Sequence, residues 1–306
     1  MKLVTVGTVA FDNIETPFGK ADKVVGGAAT YIALAASYFL KDQGIVSVVG
    51  DDFPKGTMDD LRKRGIDLAG LEVLPGKESF FWSGRYHYDM NARDTLETRL
   101  NVLLDLDPVL SETYRSAEYL MLGNLDPVIQ AKVLDQAEAP ALVAMDTMNF
   151  WMDSAMAKLR EVIARVGILM INDSEARQLS GEHSLVKAAS SILAMGPKYL
   201  VVKKGEHGAL LFSKERVFFA PALPLDEVVD PTGAGDTFAG GFIGYLAHSG
   251  DHGFNNLKRA IIVGSAMASF CCEKFGVQRL LELNREEIDQ RIRQFVELVD
   301  FDIELV

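Results

Sequence analysis

The chain is poor in cysteine, in long apolar runs and in blocks of one-signed charge, and each shortage removes a class of protein. Only two of its 306 residues are cysteine, the adjacent Cys271 and Cys272. A bridge between neighbours strains the intervening peptide, and the spacing fits neither a metal site nor a redox motif. They read as reduced core residues. No stretch approaches the ~20 apolar residues that cross a bilayer. The opening Met1-Lys2-Leu3-Val4-Thr5-Val6-Gly7 is a short strand ending in glycine rather than a secretory leader, so the expected location is the cytoplasm. There is no basic block and no acidic tail: the formal charge of −12 is spread along the chain. An acidic surface repels polyanions, so neither nucleic acid nor an anionic membrane is an expected partner. A small anion held by a local ring of backbone amides stays open. With no internal repeat or low-complexity linker, one domain over residues 1–306 is expected.

What is present is a rhythm of short apolar runs between amphipathic segments. Residues 3–7, 46–50, 119–123, 141–146, 168–172 and 199–203 read as buried strands, and residues 28–40, 57–64, 127–138 and 174–179 as helices. Continuous apolar strands alternating with helices predict an α/β fold: a doubly wound, mostly parallel sheet covered on both faces. One stretch breaks the rhythm. Ser79-Phe80-Phe81-Trp82-Ser83-Gly84-Arg85-Tyr86-His87-Tyr88-Asp89 alternates and is aromatic, as an antiparallel strand solvated on one side would be. Residues 11–25, with turns at Pro17 and Gly19, can pair with it, so the segments at about 11–25 and 78–100 predict a small β-sheet lid. An edge hairpin without function explains the same pattern equally well.

The strongest chemical signal is Asp230-Pro231-Thr232-Gly233-Ala234-Gly235-Asp236-Thr237-Phe238, followed by a small, apolar run through Leu246. Small residues at Gly233, Ala234 and Gly235 let the backbone approach a ligand, and the buried helix behind them presents its positive end there. A carboxylate at Asp236 would be repelled by a bound phosphate unless it had a task, and the fitting task is taking a proton from an attacking hydroxyl. Read alone, the segment is equally a glycine-rich turn with Asp236 as a helix cap.

These nine residues closely resemble the C-terminal signature of the ribokinase (PfkB carbohydrate kinase) family. Val25-Gly26-Gly27-Ala28-Ala29 resembles that family's di-glycine signature, and Val49-Gly50-Asp51-Asp52-Phe53 running to Asp67 its strand-turn-helix. Val201 to Ala209 resembles its nucleotide-site hairpin. The resemblance spans nearly the whole length. It implies an ATP- and magnesium-dependent kinase acting on a hydroxyl group. Asp236 would be the base, and Gly233, Ala234, Gly235 and the Asp236 amide would hold the transferring phosphoryl group. Asn172-Asp173-Ser174-Glu175 resembles the Asn-x-x-Glu element, with Glu175 acting on magnesium through water and Asn172 on a phosphate. From the residues alone, Asn172 or Ser174 simply caps the next helix. Gly205 and Gly208 would be turn glycines near the nucleotide. Lys203 and Lys204 stand where the family has a small polar and an apolar residue, and Lys203 can reach ATP phosphates or lie solvated. Thr232 and Asp230 fall where many members carry a monovalent-cation loop, which makes potassium a candidate activator.

The acceptor is less legible. Asp12 follows the first strand, where the resemblance implies hydrogen bonds to substrate hydroxyls, and Gly26 and Gly27 would let substrate lie on the backbone. Tyr31 replaces an asparagine common in sugar and nucleoside kinases and cannot reproduce the amide's paired donor and acceptor. The lid aromatics Phe81, Trp82, Tyr86 and Tyr88 suit a nucleobase or a sugar face, and tilt the expectation toward a nucleoside. An arginine among Arg85, Arg93 and Arg99 pointing into the cleft would favour a sugar phosphate. A non-catalytic ligand sensor is the alternative from another class, and an intact Asp236 argues against it. A dinucleotide oxidoreductase lacks its Gly-x-Gly-x-x-Gly turn, since Gly7-Thr8-Val9-Ala10 stands there. The lid's apolar surface also makes a homodimer a candidate assembly.

Overall fold

In the computed structural model, which describes residues 1–300 and 302, thirteen strands form two sheets. Of the single domain expected over residues 1–306, residues 301 and 303–306 lie outside the described ones. The strands of the first half are β1 (Leu3–Val6), β2 (Ala10–Thr16), β3 (Gly19–Gly26), β4 (Gln43–Gly50), β5 (Ile66–Leu74), β6 (Phe80–Tyr86) and β7 (Arg93–Arg99). Those of the second are β8 (Tyr119–Leu122), β9 (Leu142–Asp146), β10 (Ile168–Asn172), β11 (Tyr199–Lys203), β12 (Ala209–Phe212) and β13 (Val217–Ala220).

The large sheet runs in the order β13-β12-β11-β10-β9-β8-β1-β4-β5. It is parallel from β5 to β11, and β12 and β13 close it as an antiparallel edge. Its inner strands β1, β4 and β8 to β11 are buried without alternation because both faces are covered, whereas the edge strand β5 alternates buried and exposed residues. Along β10, Leu169 and Ile171 join one core with Leu159, Val162, Ile163 and Leu179. Their neighbours Ile168 and Met170 turn to the other, with Phe238, Phe242, Leu257 and Ile261. A period of two thus feeds two cores from one strand.

The helix Ala234–Ser249 packs unusually close to the helix Ala28–Ala36. A Cβ on Gly240 would come within 2.3 Å of the Ile32 carbonyl oxygen, and one on Gly244 within 2.8 Å of Ala36 Cα. Only bare backbone permits this approach, and it brings the Gly233–Asp236 turn beside the di-glycine turn.

The small sheet has the order β3-β2-β6-β7. Residues 79–89 behave as expected on one side only. β6 is antiparallel to β7 but parallel to β2, because the chain reaches it after a long excursion through β4 and β5 rather than by a hairpin. Phe81 and Tyr86 are buried, and the Trp82 ring folds over Gly84, filling the space a side chain there would take. Every residue of β7 is exposed. No described helix is long and apolar enough to cross a membrane.

Candidate active site

The carboxyl ends of three neighbouring strands meet the helix that begins at Ala234. Register places Asn172 opposite Lys203 across β10 and β11, and Asp146 opposite Met170 across β9 and β10. Open parallel sheets bind ligands in the crevice at this edge. Lys203 Nζ donates to Asp146 Oδ2 at 2.6 Å, and Asp146 Oδ1 accepts from the Thr147 amide at 2.8 Å.

Gly233 caps the helix with φ 75° and offers no side-chain acceptor to the first turn. A Cβ there would sit 2.4 Å from the Tyr31 ring, so the turn needs glycine for conformation and for room. The Ala234 amide bonds the Pro231 carbonyl and the Thr237 amide the Gly233 carbonyl. The amides of Gly233, Gly235 and Asp236 have no acceptor among the described residues. Three unanswered donors at a helix's positive end are a fitted seat for a phosphate.

Asp236 lies in this first turn, half-buried. Burial, then the nearby charge of Asp146, push its carboxyl up to about 7, against the opposing pull of Lys203 and Arg93. Across the crevice Asp12 is 5% exposed and lies against Gly26, where a Cβ would be 1.9 Å from its Oδ2. Burial, with the charges of Asp230 and Asp236, raises Asp12 to about 8. Gly27, at φ 93°, opens the helix Ala28–Ala36, whose first amides are taken by the Thr8 hydroxyl and carbonyl.

Asn172 and Glu175 form a reciprocal capping box: Asn172 Oδ1 accepts from the Glu175 amide at 2.8 Å, and Glu175 Oε2 from the Asn172 amide at 2.7 Å. The capping role open at the sequence level is therefore present. It leaves the side-chain nitrogen Nδ2 of Asn172 without an acceptor among the described residues. Glu175 is buried, and burial followed by the charge of Asp146 raises it to about 7. Among the described residues no cluster of three or more His, Cys, Asp or Glu could hold a metal ion by itself. Magnesium keeps much of its water and is commonly shared with phosphates, so one carboxylate beside a phosphate seat fits it.

Asp230 is fully buried and joins two loops, Oδ1 accepting from the Thr232 amide at 2.8 Å and Oδ2 from the Gly276 amide at 2.9 Å. Thr232 donates to the Tyr86 hydroxyl at 3.1 Å, which ties the small sheet to the glycine turn. The tip of the β6–β7 turn makes a second tie. Asn91 fills the space above Gly205 and donates to Glu206 at 3.0 Å. Gly208, at φ 86°, backs onto the Ala220 carbonyl.

Tyr31 is 1% exposed, with its ring under Gly233 and its hydroxyl unpartnered among the described residues. Of the lid arginines, Arg85 is paired to Glu15 and Arg99 lies over Phe81 beside Glu97. Arg93 alone has a charge felt by Asp236 and Glu175. Tyr88 is 81% exposed beside Phe18, away from the crevice. Asp146 was missed by sequence reasoning, although its position as the last residue of an apolar strand was a usable signal.

The description "pfkB family carbohydrate kinase" matches residues 11–284. The chain is 32% identical over 248 residues to the cytidine kinase of Thermococcus kodakarensis, covering 79% of this chain and 87% of that one. It is 25% identical over 257 residues to the ATP-dependent ribose-1-phosphate kinase of Halopiger xanaduensis, covering 83% and 82%. The crystal structure of Methanocaldococcus jannaschii nucleoside kinase superposes with a TM-score of 0.77 at 23% identity, covering 96% of this chain and 99% of that one.

Proposed function

Because the chain belongs to the pfkB family of carbohydrate kinases and is an ATP-dependent phosphotransferase acting on a hydroxyl group, we propose that its acceptor is a nucleoside and that Asp236 is the base. Kinases of this family use ATP and magnesium, and magnesium-bound ATP supplies the phosphoryl group. The observation carrying the assignment is the set of unanswered amides at Gly233, Gly235 and Asp236 beside a half-buried carboxylate.

The chain's own residues divide the work as follows. The amides of Gly233, Gly235 and Asp236 form the anion seat, whose dipoles are fixed before charge develops, while Ala234, its own amide taken by the Pro231 carbonyl, holds the turn in shape. Asp12 opposes Asp236 and, with the bare backbone of Gly26 and Gly27, orients the sugar hydroxyls. Asp236 accepts the proton of the attacking hydroxyl; its raised pKa makes it a stronger base than an ordinary carboxylate. Asn172 offers its free side-chain nitrogen Nδ2 to a phosphate, and Glu175 would hold magnesium through water, the ion supplying positive charge to the phosphates. Lys203 reaches a phosphate, while Gly205, Gly208 and Thr232 shape the nucleotide's bed. Tyr31 backs the glycine turn from below, close to the acceptor's place. The small sheet acts as a lid, tied down through Tyr86 and Asn91, and excludes the water that would compete with the acceptor. A potassium ion near Asp230 would steady the two loops that its carboxylate joins. The exposed face of β7, with Leu96, suits a second copy of the chain.

A nucleoside is favoured over a bare sugar by the likeness to a cytidine kinase, whereas the lid aromatics Phe81, Trp82 and Tyr88 pack within the small sheet or lie exposed and do not decide it. A sugar phosphate is the second reading, and Arg93 is the observation in its favour, since its charge reaches the crevice. The test is ATP consumption against nucleosides, pentoses, hexoses and their phosphates, with and without potassium. Turnover highest on a nucleoside supports the first reading, and turnover confined to phosphorylated sugars overturns it.

A further inference from the structure

The buried pair Asp146–Lys203 has a geometry that phosphate binding alone does not account for. The two side chains are 6% and 16% exposed, and their atoms meet at 2.6 Å. Burying an ammonium is costly unless a counter-charge lies in contact with it. Asp146 provides that charge from a fixed post, because its second oxygen is held by the Thr147 amide at 2.8 Å. Lys203 Nζ is also the heavy atom nearest the space a side chain would take on Gly235, at 3.2 Å. The lysine therefore bridges the end of β9 and the helix turn whose amides lack acceptors. Its ammonium stands over that turn with charge preserved: burial opposes the charge, but the carboxylates of Asp146, Glu175 and Asp236 outweigh it.

We propose that Lys203 is a catalytic residue whose ammonium meets the transferring phosphoryl group above Gly235, and that Asp146 is its positioning residue. This rests on the kinase reading of the same crevice. No bond to Lys203 forms or breaks. The bond between the phosphoryl phosphorus and its ADP leaving oxygen breaks, the bond to the acceptor oxygen forms, and the acceptor's proton passes to Asp236. Lys203 remains protonated and balances charge on the phosphoryl oxygens, as a fixed cation in a dry site does most effectively.

The pair also bears on Asp236 with opposite signs. Asp236 is faced by Asp146 from β9, Lys203 from β11, Arg93 from β7 and Asp12 from β2, with Tyr31 and Cys271 close by. Removing the cation and removing the anion should therefore move its titration in opposite directions. A pair remote from Asp236 predicts no such opposition, and the loss of kcat in K203M is what separates a catalytic cation from a structural one.

The test is steady-state kinetics of the full chain on its best acceptor as a function of pH, for K203M, K203R, D146N and the K203M/D146N double variant, with melting midpoints to verify folding. The expected loss of kcat is on the order of 10²-fold in K203M, partly restored in K203R, and about tenfold in D146N. The acid limb of kcat/KM should move to higher pH in K203M and to lower pH in D146N. The double variant should be no slower than K203M. A folded K203M within threefold of the parent kcat, or limbs moving the same way in both single variants, overturns the proposal. D236N separates the two ideas: an inactive D236N with an active K203M sinks only the lysine's role, whereas an active D236N sinks the base assignment beneath it.

Discussion

The helices beginning at Asp173 and at Ala234 open onto the same crevice, yet their first-turn amides are treated in opposite ways. At Asp173 the chain answers its own donors, with Asn172 and Glu175 closing a capping box. At Ala234 the cap is a bare glycine, and three amides are left without acceptors. A third helix, Arg285–Val299, repeats the first solution with Asn284 and Glu287. The same Asn-x-x-Glu spacing therefore occurs twice with the same reciprocal hydrogen bonds. What separates the two is environment. Glu287 is half-exposed on Arg279, whose hydrogen bond holds its carboxyl below the usual range. Glu175 is buried and raised to about 7. A cap is thus a local fact that says little about chemistry. An unanswered donor or a buried charge at a strand end says much more.

The largest effect expected from disturbing this contrast is at the bare terminus. Gly233→Ala forces a side chain onto a left-handed residue and into the Tyr31 ring, so kcat/KM should fall on the order of 10²-fold, as steady-state rates would reveal. Next come the two boxes. Asn172→Ala and Asn284→Ala should each lower stability by about 1 kcal/mol in denaturant titrations. Only Asn172→Ala should also slow turnover, by about tenfold for a lost charge-assisted phosphate contact. Equal activities in the two variants would mean that the first box is structural as well.

Titration gives the third. The folded pKa of Asp12 is raised to about 8, above its unfolded value. The stability linked to this group is fully present below the unfolded pKa and is lost as pH rises through 8. Asp12→Asn removes that loss. Its stability relative to the parent should therefore increase by roughly 2 kcal/mol between pH 6 and pH 9, measured by urea unfolding at both. A pH-independent difference would mean that burial and the neighbouring carboxylates do not hold Asp12 protonated in the folded chain. The smallest effect is at the lid. Tyr86→Phe removes the bond from Thr232, worth ~1 kcal/mol, and should raise the acceptor KM about fivefold with kcat nearly constant.

The fold was legible because its signal is local and strong. The six apolar runs are strands of the large sheet, and their lack of alternation correctly indicated cover on both faces. The small sheet was legible as an interruption of that rhythm, but the parallel pairing of β6 with β2 was not, since strand direction depends on a connection far away in sequence. Within the site, the Gly233–Asp236 segment was readable because small residues before a buried helix have few uses. Tyr31 was expected at the acceptor, a few residues past the di-glycine turn, but the contact of its ring with Gly233 was not legible, because it needs the approach of two helices. Asp146 was invisible as a partner because Lys203 lies 57 residues away, and only the sheet register brings them together. The arginines show the same limit. Arg85, Arg93 and Arg99 are alike in sequence, and the Glu15 carboxylate that takes Arg85 is set by the cross-strand pairing of β6 with β2.

The most direct test of the central claim, that the bare helix terminus gathers phosphate beside a working base, is to measure turnover and ATP affinity together in Asp236→Asn. The account predicts that kcat falls by at least ~10²-fold while the ATP dissociation constant, read by calorimetry, stays within a few-fold of the parent. Near-normal turnover in a folded variant would contradict it.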